Sequence, residues 1–401
     1  MTNELLDDHL KDPADDLLGV SRRAEILAQR LAQVRPPFTA GVYGEWGSGK
    51  TSFVYFVAAY LGKLLPKPAD GSDPVLFIDF SAWQYRTADE VWRALMLRIT
   101  QKLLGVTDPS EWPEKERAPK PAGLGGRIKN FLAADALIIR DDELAPAQTT
   151  YLEVAAKLDA ALYGGISKSP DSPAHLNASE AGMSAARSAF AAMAAMSPVM
   201  SALRGFLGLD SEAARAGAFN QGRNEETRQR IQSMEDFKKI IKDLFMKYAG
   251  TRRVVIFVDD LDRCMPDVAL DTLEAIKTFL RDTPCIFMVA ADETLIGQGL
   301  RMRLRTLNES GQTSVNVEEF LTTKGREYFE KIIQLPVHLP RPAREEIQRF
   351  IGAQFPEWTA ASDLIDVAIG GNPRRLKQYC NRLQYERMVK QLQEQRRDLT
   401  R

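Results

Sequence analysis

The sequence predicts an α/β protein built around a parallel β-sheet. Three observations point there: short apolar runs of strand length, helical or polar stretches following each of them, and a glycine-rich turn after the first. Runs that are apolar throughout belong to strands covered on both faces, and strands alternating with helices supply the crossovers of a parallel sheet. The 401 residues are 44% hydrophobic and 27% charged, which excludes a collagenous, wholly disordered or coiled-coil chain. Lys plus Arg total 53 against 54 Asp plus Glu, so a uniformly basic nucleic-acid binder is excluded while a local basic patch is not.

Taken in order, residues 1–16 are acidic and lack the basic start and apolar stretch of a signal peptide, so a cytoplasmic protein is expected. Residues 39–43 read as a buried strand, followed by the glycine-rich turn and an apolar helical run over 52–64. Further strands are expected at 75–80, 254–259, 285–291 and 334–339. The distance from the second to the third far exceeds what a crossover needs, so an insertion is expected at 107–234. It opens with a stretch rich in Pro, Gly and charge and turns alanine-rich from Ala178 to Ala218. The discontinuous core would then be 1–106 and 235–340. Residues 341–401 read as a C-terminal helical subdomain, interrupted at Gly370-Gly371-Asn372-Pro373. The cysteines Cys264, Cys285 and Cys380 have neither the spacing of a zinc site nor the number of a disulfide framework.

Gly44-Glu45-Trp46-Gly47-Ser48-Gly49-Lys50-Thr51 matches G-x-x-x-x-G-K-[ST], and it lies after a strand and before a helix. Glycines let such a loop wrap so that backbone N–H groups face a β-phosphate, and the helix N-terminus adds its partial positive charge. Gly44 to Ser52 are therefore the expected nucleotide contacts. Lys50 would reach the β- and γ-phosphates, and the Thr51 hydroxyl would ligate magnesium.

The apolar run Val254 to Val258 leads into Asp259-Asp260, at the strand end where α/β sheets bind ligands. Asp259 is the expected magnesium ligand. Asp260 either orients the attacking water or caps the next helix. In P-loop enzymes whose catalytic acid follows the magnesium Asp, an extra strand separates the two motif strands, which gives the order 5-1-4-3-2. Asp292, after the fourth run, then stands either as a γ-phosphate sensor or as a helix N-cap. No guanine-reading Asn-Lys-x-Asp follows, so ATP is expected.

With these residues in hand, the chain resembles the KAP family of P-loop NTPases, a branch close to the STAND ATPases. The likeness rests on Gly41 to Phe53, on Phe80-Ser81-Ala82-Trp83-Gln84-Tyr85, on Val258-Asp259-Asp260-Leu261-Asp262-Arg263-Cys264, on Tyr328 to Pro336, and on Asn372-Pro373-Arg374-Arg375. KAP proteins often carry two transmembrane helices where the insertion falls here. This chain departs from that pattern: Ser188 to Leu203 is uncharged but mostly Ala, Ser and Met and contains Pro198, too short and too weakly apolar to span a bilayer. A helical insertion acting as an interaction or self-association surface is expected, with at most peripheral membrane contact.

Trp83 and Gln84 read as packing residues rather than nucleotide contacts, and Lys331 as the salt-bridge partner of Glu327. Asn372 reads as an N-cap with Pro373 at the first helical position. Arg374 in that first turn opposes the helix dipole and resembles a sensor arginine on a lid. Arg263 is placed to meet phosphate, in cis or across a subunit contact. The resemblance implies an ATPase that drives or resets a conformational switch, and makes phage defence a plausible process. Two other readings stay open: a nucleotide-gated scaffold with little hydrolysis, or, from the basic run 372–401, a nucleic-acid-associated ATPase.

Overall fold

The computed structural model describes residues 9–107, 146–163, 239–279, 283–309, 316–321, 330 and 332–399. The strands β1 (Phe38–Tyr43), β2 (Val75–Ser81), β3 (Arg253–Asp259), β4 (Cys285–Ala291) and β5 (Leu335–His338) form one sheet in the order β2-β3-β4-β1-β5. Every pairing is parallel, and the order is the expected 5-1-4-3-2. β3 shows why its run is apolar throughout. Val254, Ile256 and Val258 enter the core on one face, and Val255 and Phe257 the core on the other, as the period of two requires.

Helices α1 (Ser21–Gln33) and α2 (Lys50–Leu64) cover one face through Leu27, Leu31, Phe53 and Val57. The other face is covered by α3 (Ala88–Leu104), α4 (Pro146–Tyr163), α5 (Pro266–Phe279) and α6 (Glu293–Glu309), with Trp92, Leu158, Leu270 and Leu304 buried. A capping box starts α3: Thr87 Oγ1 accepts from the Glu90 N–H while the Glu90 carboxylate accepts from the Thr87 N–H, which satisfies two backbone donors that the helix cannot. The α4 stretch falls inside the segment read as an insertion, yet Tyr151, Val154 and Leu158 join the core beside α3. Its apolar face thus completes the layer over the sheet. The alanine-rich stretch 178–218, the apolar stretch 188–203 and the Lys331–Glu327 pair lie outside the described residues. Among the described residues no helix is long and apolar enough to cross a membrane.

Helices α7 (Arg344–Gln354), α8 (Ser362–Ile369) and α9 (Pro373–Leu399) pack around Ile347, Phe350, Ile351, Ile365, Leu376 and Cys380. Leu17 and Leu18 of the N-terminal segment join this small core. The segment therefore bridges the C-terminal helices and the sheet domain, where the Leu10 N–H donates to Ser52 Oγ at 2.9 Å. Between α8 and α9 the chain turns through Gly370 and Gly371, at φ 64° and 71°, a left-handed pair that side chains disfavour.

Candidate functional site

β1 delivers the chain buried to the C-terminal edge of the sheet, and α2 leaves from the same point. The loop between them turns at Gly47 and Gly49, at φ 79° and 92°. No side chain caps the start of α2, and the Ser48 hydroxyl is buried without a hydrogen-bond partner. Lys50 is 7% exposed; its Nζ donates to the Gly44 carbonyl at 2.9 Å and to Asp262 Oδ2 at 2.8 Å. Uncapped helix amides, an orphaned buried hydroxyl and a buried ammonium form a cradle suited to phosphate oxygens.

Opposite the loop, Thr51 Oγ1 donates to Asp259 Oδ2 at 2.6 Å. Burial holds the Asp259 carboxyl above its ordinary range, the Thr51 hydrogen bond opposes the shift, and the Asp260 charge adds to it. A hydroxyl and a carboxylate side by side are hard oxygen donors of the kind magnesium takes when it binds through few protein ligands.

Asp260 adopts φ 58° and is the sole non-glycine residue with positive φ among the described residues. Its carboxylate is held at both oxygens: Ser81 Oγ donates to Oδ2 at 2.7 Å, and Arg263 Nε lies 2.9 Å from Oδ1. It does not cap the turn Leu261–Arg263, so of its two readings the cap is not realised. At Asp292 the outcome is reversed. Register places Ala291 beside Tyr43, so Asp292 emerges next to the loop as expected of a sensor. Its Oδ1 nevertheless accepts from the Thr294 N–H and hydroxyl, and Asp292 is absent from the residues that line the cavity. The carboxylate serves the start of α6 as its N-cap.

A ladder of cations and indoles stands beside the phosphate loop. Arg374 lies 4.4 Å from the centre of the Trp46 ring. Arg263 lies 5.9 Å from Trp46 and 5.6 Å from Trp83. Trp83 is 51% exposed, which corrects its reading as a packing residue. Phe80 and Tyr85 on either side of it stack on each other at 5.6 Å and turn it outward. Asn372 is the N-cap of α9, accepting from the Arg374 and Arg375 N–H groups, and its amide donates to the Trp46 carbonyl at 2.9 Å. The C-terminal helices thus grip the loop backbone itself, and Arg341 adds an ion pair to Glu45 at 2.8 Å.

The phosphate loop and the acidic turn border a cavity of about 790 Å³, at the upper end of the range for small-molecule sites. Loop residues 46–52, Asp259, Asp260, Asp262, Arg263 and Arg374 line it, together with the apolar side chains of Leu10, Leu18, Val20 and Pro373 and with His9, Asp79, Gln84, Arg98 and Tyr151. There Arg98 pairs with Asp79 at 2.9 Å and the Tyr55 hydroxyl donates to the same carboxylate at 3.2 Å.

The structure therefore brings Lys50, Thr51, Asp259, Asp260, Arg263 and Arg374 together, and leaves Asp292 aside. Sequence reasoning missed Asp262 as the partner of Lys50, Ser81 as the partner of Asp260, and the N-terminal segment as a wall. Asp262 carried a legible signal, being the third carboxylate of the run Asp259, Asp260, Asp262 at the end of β3. Ser81 and the N-terminal wall depend on long-range packing that no local pattern encodes. The model of the KAP family P-loop domain matches residues 21–390. No curated protein matches the chain.

Proposed function

The chain belongs to the KAP family of P-loop NTPases, and on that premise we propose that it binds Mg-ATP and hydrolyses it to drive or reset a conformational switch. The observation that carries this reading is the 2.6 Å contact of Thr51 with Asp259, with Asp260 next along the chain. The phosphate loop and the acidic strand end meet in the arrangement phosphoryl transfer uses. Lys50 and the loop amides bind the β- and γ-phosphates, with Ser48 Oγ gaining the partner it lacks. Thr51 and Asp259 would hold magnesium, which would supply positive charge to neutralise phosphate oxygens. Asp260 orients the water, and Arg374 ties the C-terminal helices to the phosphates. Leu18, Val20 and Pro373, which line the same cavity, offer apolar surface for the base.

We assign the remainder of the insertion to an interaction surface for a protein partner or a second copy, and, on the family resemblance alone, the process to phage defence. Phosphate release under saturating Mg-ATP tests the enzymatic reading, with Lys50→Ala as the control that removes the site. The ion pairs Lys50–Asp262 and Arg263–Asp260 favour a slow enzyme, and so support a second reading as a nucleotide-gated scaffold. Tight ATP binding with phosphate release at the Lys50→Ala background would select that second reading.

A further inference from the structure

We propose that Asp260 has two partners of different kinds: Ser81 is a lasting positioning residue for the hydrolytic carboxylate, and Arg263 is an exchangeable partner that the γ-phosphate draws away. The inference rests on the nucleotide reading above and adds to it how the water-orienting group is held and released.

The asymmetry follows from where the two partners stand. Ser81 is the last residue of β2 and is paired in register with Asp259 of β3. Its backbone is fixed by the sheet, and its short side chain reaches Asp260 Oδ2 at 2.7 Å. Asp260 itself is held in left-handed backbone geometry at φ 58°, a region side chains disfavour and that Asp enters more readily than most. Such a conformation persists where surrounding contacts over-determine it. The Ser81 bond and the bond from the Asp260 N–H to Asp259 Oδ1 at 2.8 Å are two of those contacts.

Arg263 is different in every respect. It is a long side chain on a short turn, 37% exposed, with its guanidinium between two exposed indoles, Trp46 at 61% and Trp83 at 51%. It lines the same cavity as Lys50. A guanidinium prefers phosphate oxygens, which carry more charge than one carboxylate oxygen and match its fork of donors. The indoles give the cation a favourable surface to slide along, so that leaving Asp260 does not strand it.

The oxygen Arg263 gives up is the one the reaction needs. With Oδ2 kept by Ser81, departure of Arg263 from Oδ1 leaves that oxygen's lone pairs to accept a hydrogen from water. Ser81 thereby fixes which oxygen faces the water, and Arg263 fixes when.

Turnover and indole emission test the two halves. Ser81→Ala should lower kcat about tenfold to a hundredfold, in the range lost when supporting hydrogen bonds are removed, while ATP affinity by calorimetry stays within about twofold. Ser81→Thr, which keeps the hydroxyl, should recover most of that loss. In Trp46→Phe, which leaves Trp83 as the indole beside Arg263, tryptophan emission should change with a non-hydrolysable ATP analogue and not with ADP. In Asp260→Asn, where Arg263 has lost its ion-pair partner, the emission should already be shifted before analogue is added. Full kcat in Ser81→Ala, or equal losses in the Ala and Thr variants, overturns the positioning role. Analogue binding by calorimetry without any emission change overturns the exchange. Absence of nucleotide binding in wild type refutes the nucleotide reading and the proposal with it, an outcome separable from the others because calorimetry alone reports it.

Discussion

Lys50 Nζ stands 2.8 Å from Asp262 Oδ2, with both side chains at 10% exposure or less. The ammonium that a phosphate would use is thus shared with a carboxylate of the chain's own, placed there by the turn Leu261–Arg263. A pair this buried is bound tightly on both sides, because neither charge has water to fall back on.

On the proposed reading, ATP would compete with Asp262 for Lys50. Asp262→Asn removes the competitor and leaves the lysine underpaired, so ATP affinity should rise about tenfold, the equivalent of about 1.4 kcal/mol. Calorimetric titration measures it directly. Weaker binding in Asp262→Asn would show that the carboxylate supports the nucleotide instead of competing with it.

Asp259→Asn separates the metal from the phosphates. The amide still accepts from Thr51 but carries no charge for a divalent cation, so ATP binding should persist with its magnesium dependence flattened, and turnover should stop. Titrating affinity against magnesium checks this. An unchanged magnesium dependence would place the metal elsewhere.

How far these residues could be read without the structure differs by kind of signal. The phosphate loop and β3 were legible because their chemistry is local: glycines at fixed spacing, then an apolar run ending in carboxylates. The strand order was legible through that same motif pair. Asp292 shows the limit, since its position left two readings open, sensor and N-cap, and only the fold selects the N-cap. A carboxylate two residues before Thr294 can bond locally, and such short-range bonds compete well against a more distant ligand. Trp83 was misread because a tryptophan after a strand usually packs, whereas here Phe80 and Tyr85 fill that place. Ser81 and Leu18 reach the site only through the pairing of β2 with β3 and the packing of the N-terminal segment on α7 to α9.

The three thiols should be silent in the folded protein. Burial raises Cys264 and Cys380 to about 11 and Cys285 to about 12, so almost no thiolate exists near pH 8. Since the folded values lie above the unfolded ones, the unfolded chain ionises first; this contribution to stability is present below the ordinary thiol pKa and is lost as pH climbs toward 11. Alkylation at pH 8 should label none of the three in native protein and all three after denaturation. Rapid native labelling of Cys264 would mean that the turn after β3 opens on its own.

The C-terminal helices and the phosphate loop touch too closely for either to move alone. A Cβ added at Gly47 would lie 2.6 Å from the Cβ of Arg374 and 3.1 Å from Asn372 Oδ1, on a backbone at φ 79°. Gly47→Ala must therefore push the start of α9 away from the loop as well as bear a left-handed penalty of about 1–2 kcal/mol. Loosening should be read at Gly370-Gly371, the turn that carries α9, as faster cleavage by a protease. Arg374→Ala removes the cation from the Trp46 face while leaving the Asn372 cap and its bond to the Trp46 carbonyl. In wild type, cleavage at this turn should be slower with a non-hydrolysable ATP analogue than with ADP, because the γ-phosphate gives Arg374 a second anchor. In Arg374→Ala the analogue and ADP should give equal rates, and turnover should fall more than affinity. Equal cleavage of wild type in both nucleotides would leave Arg374 a clamp on the loop with no part in sensing the phosphate.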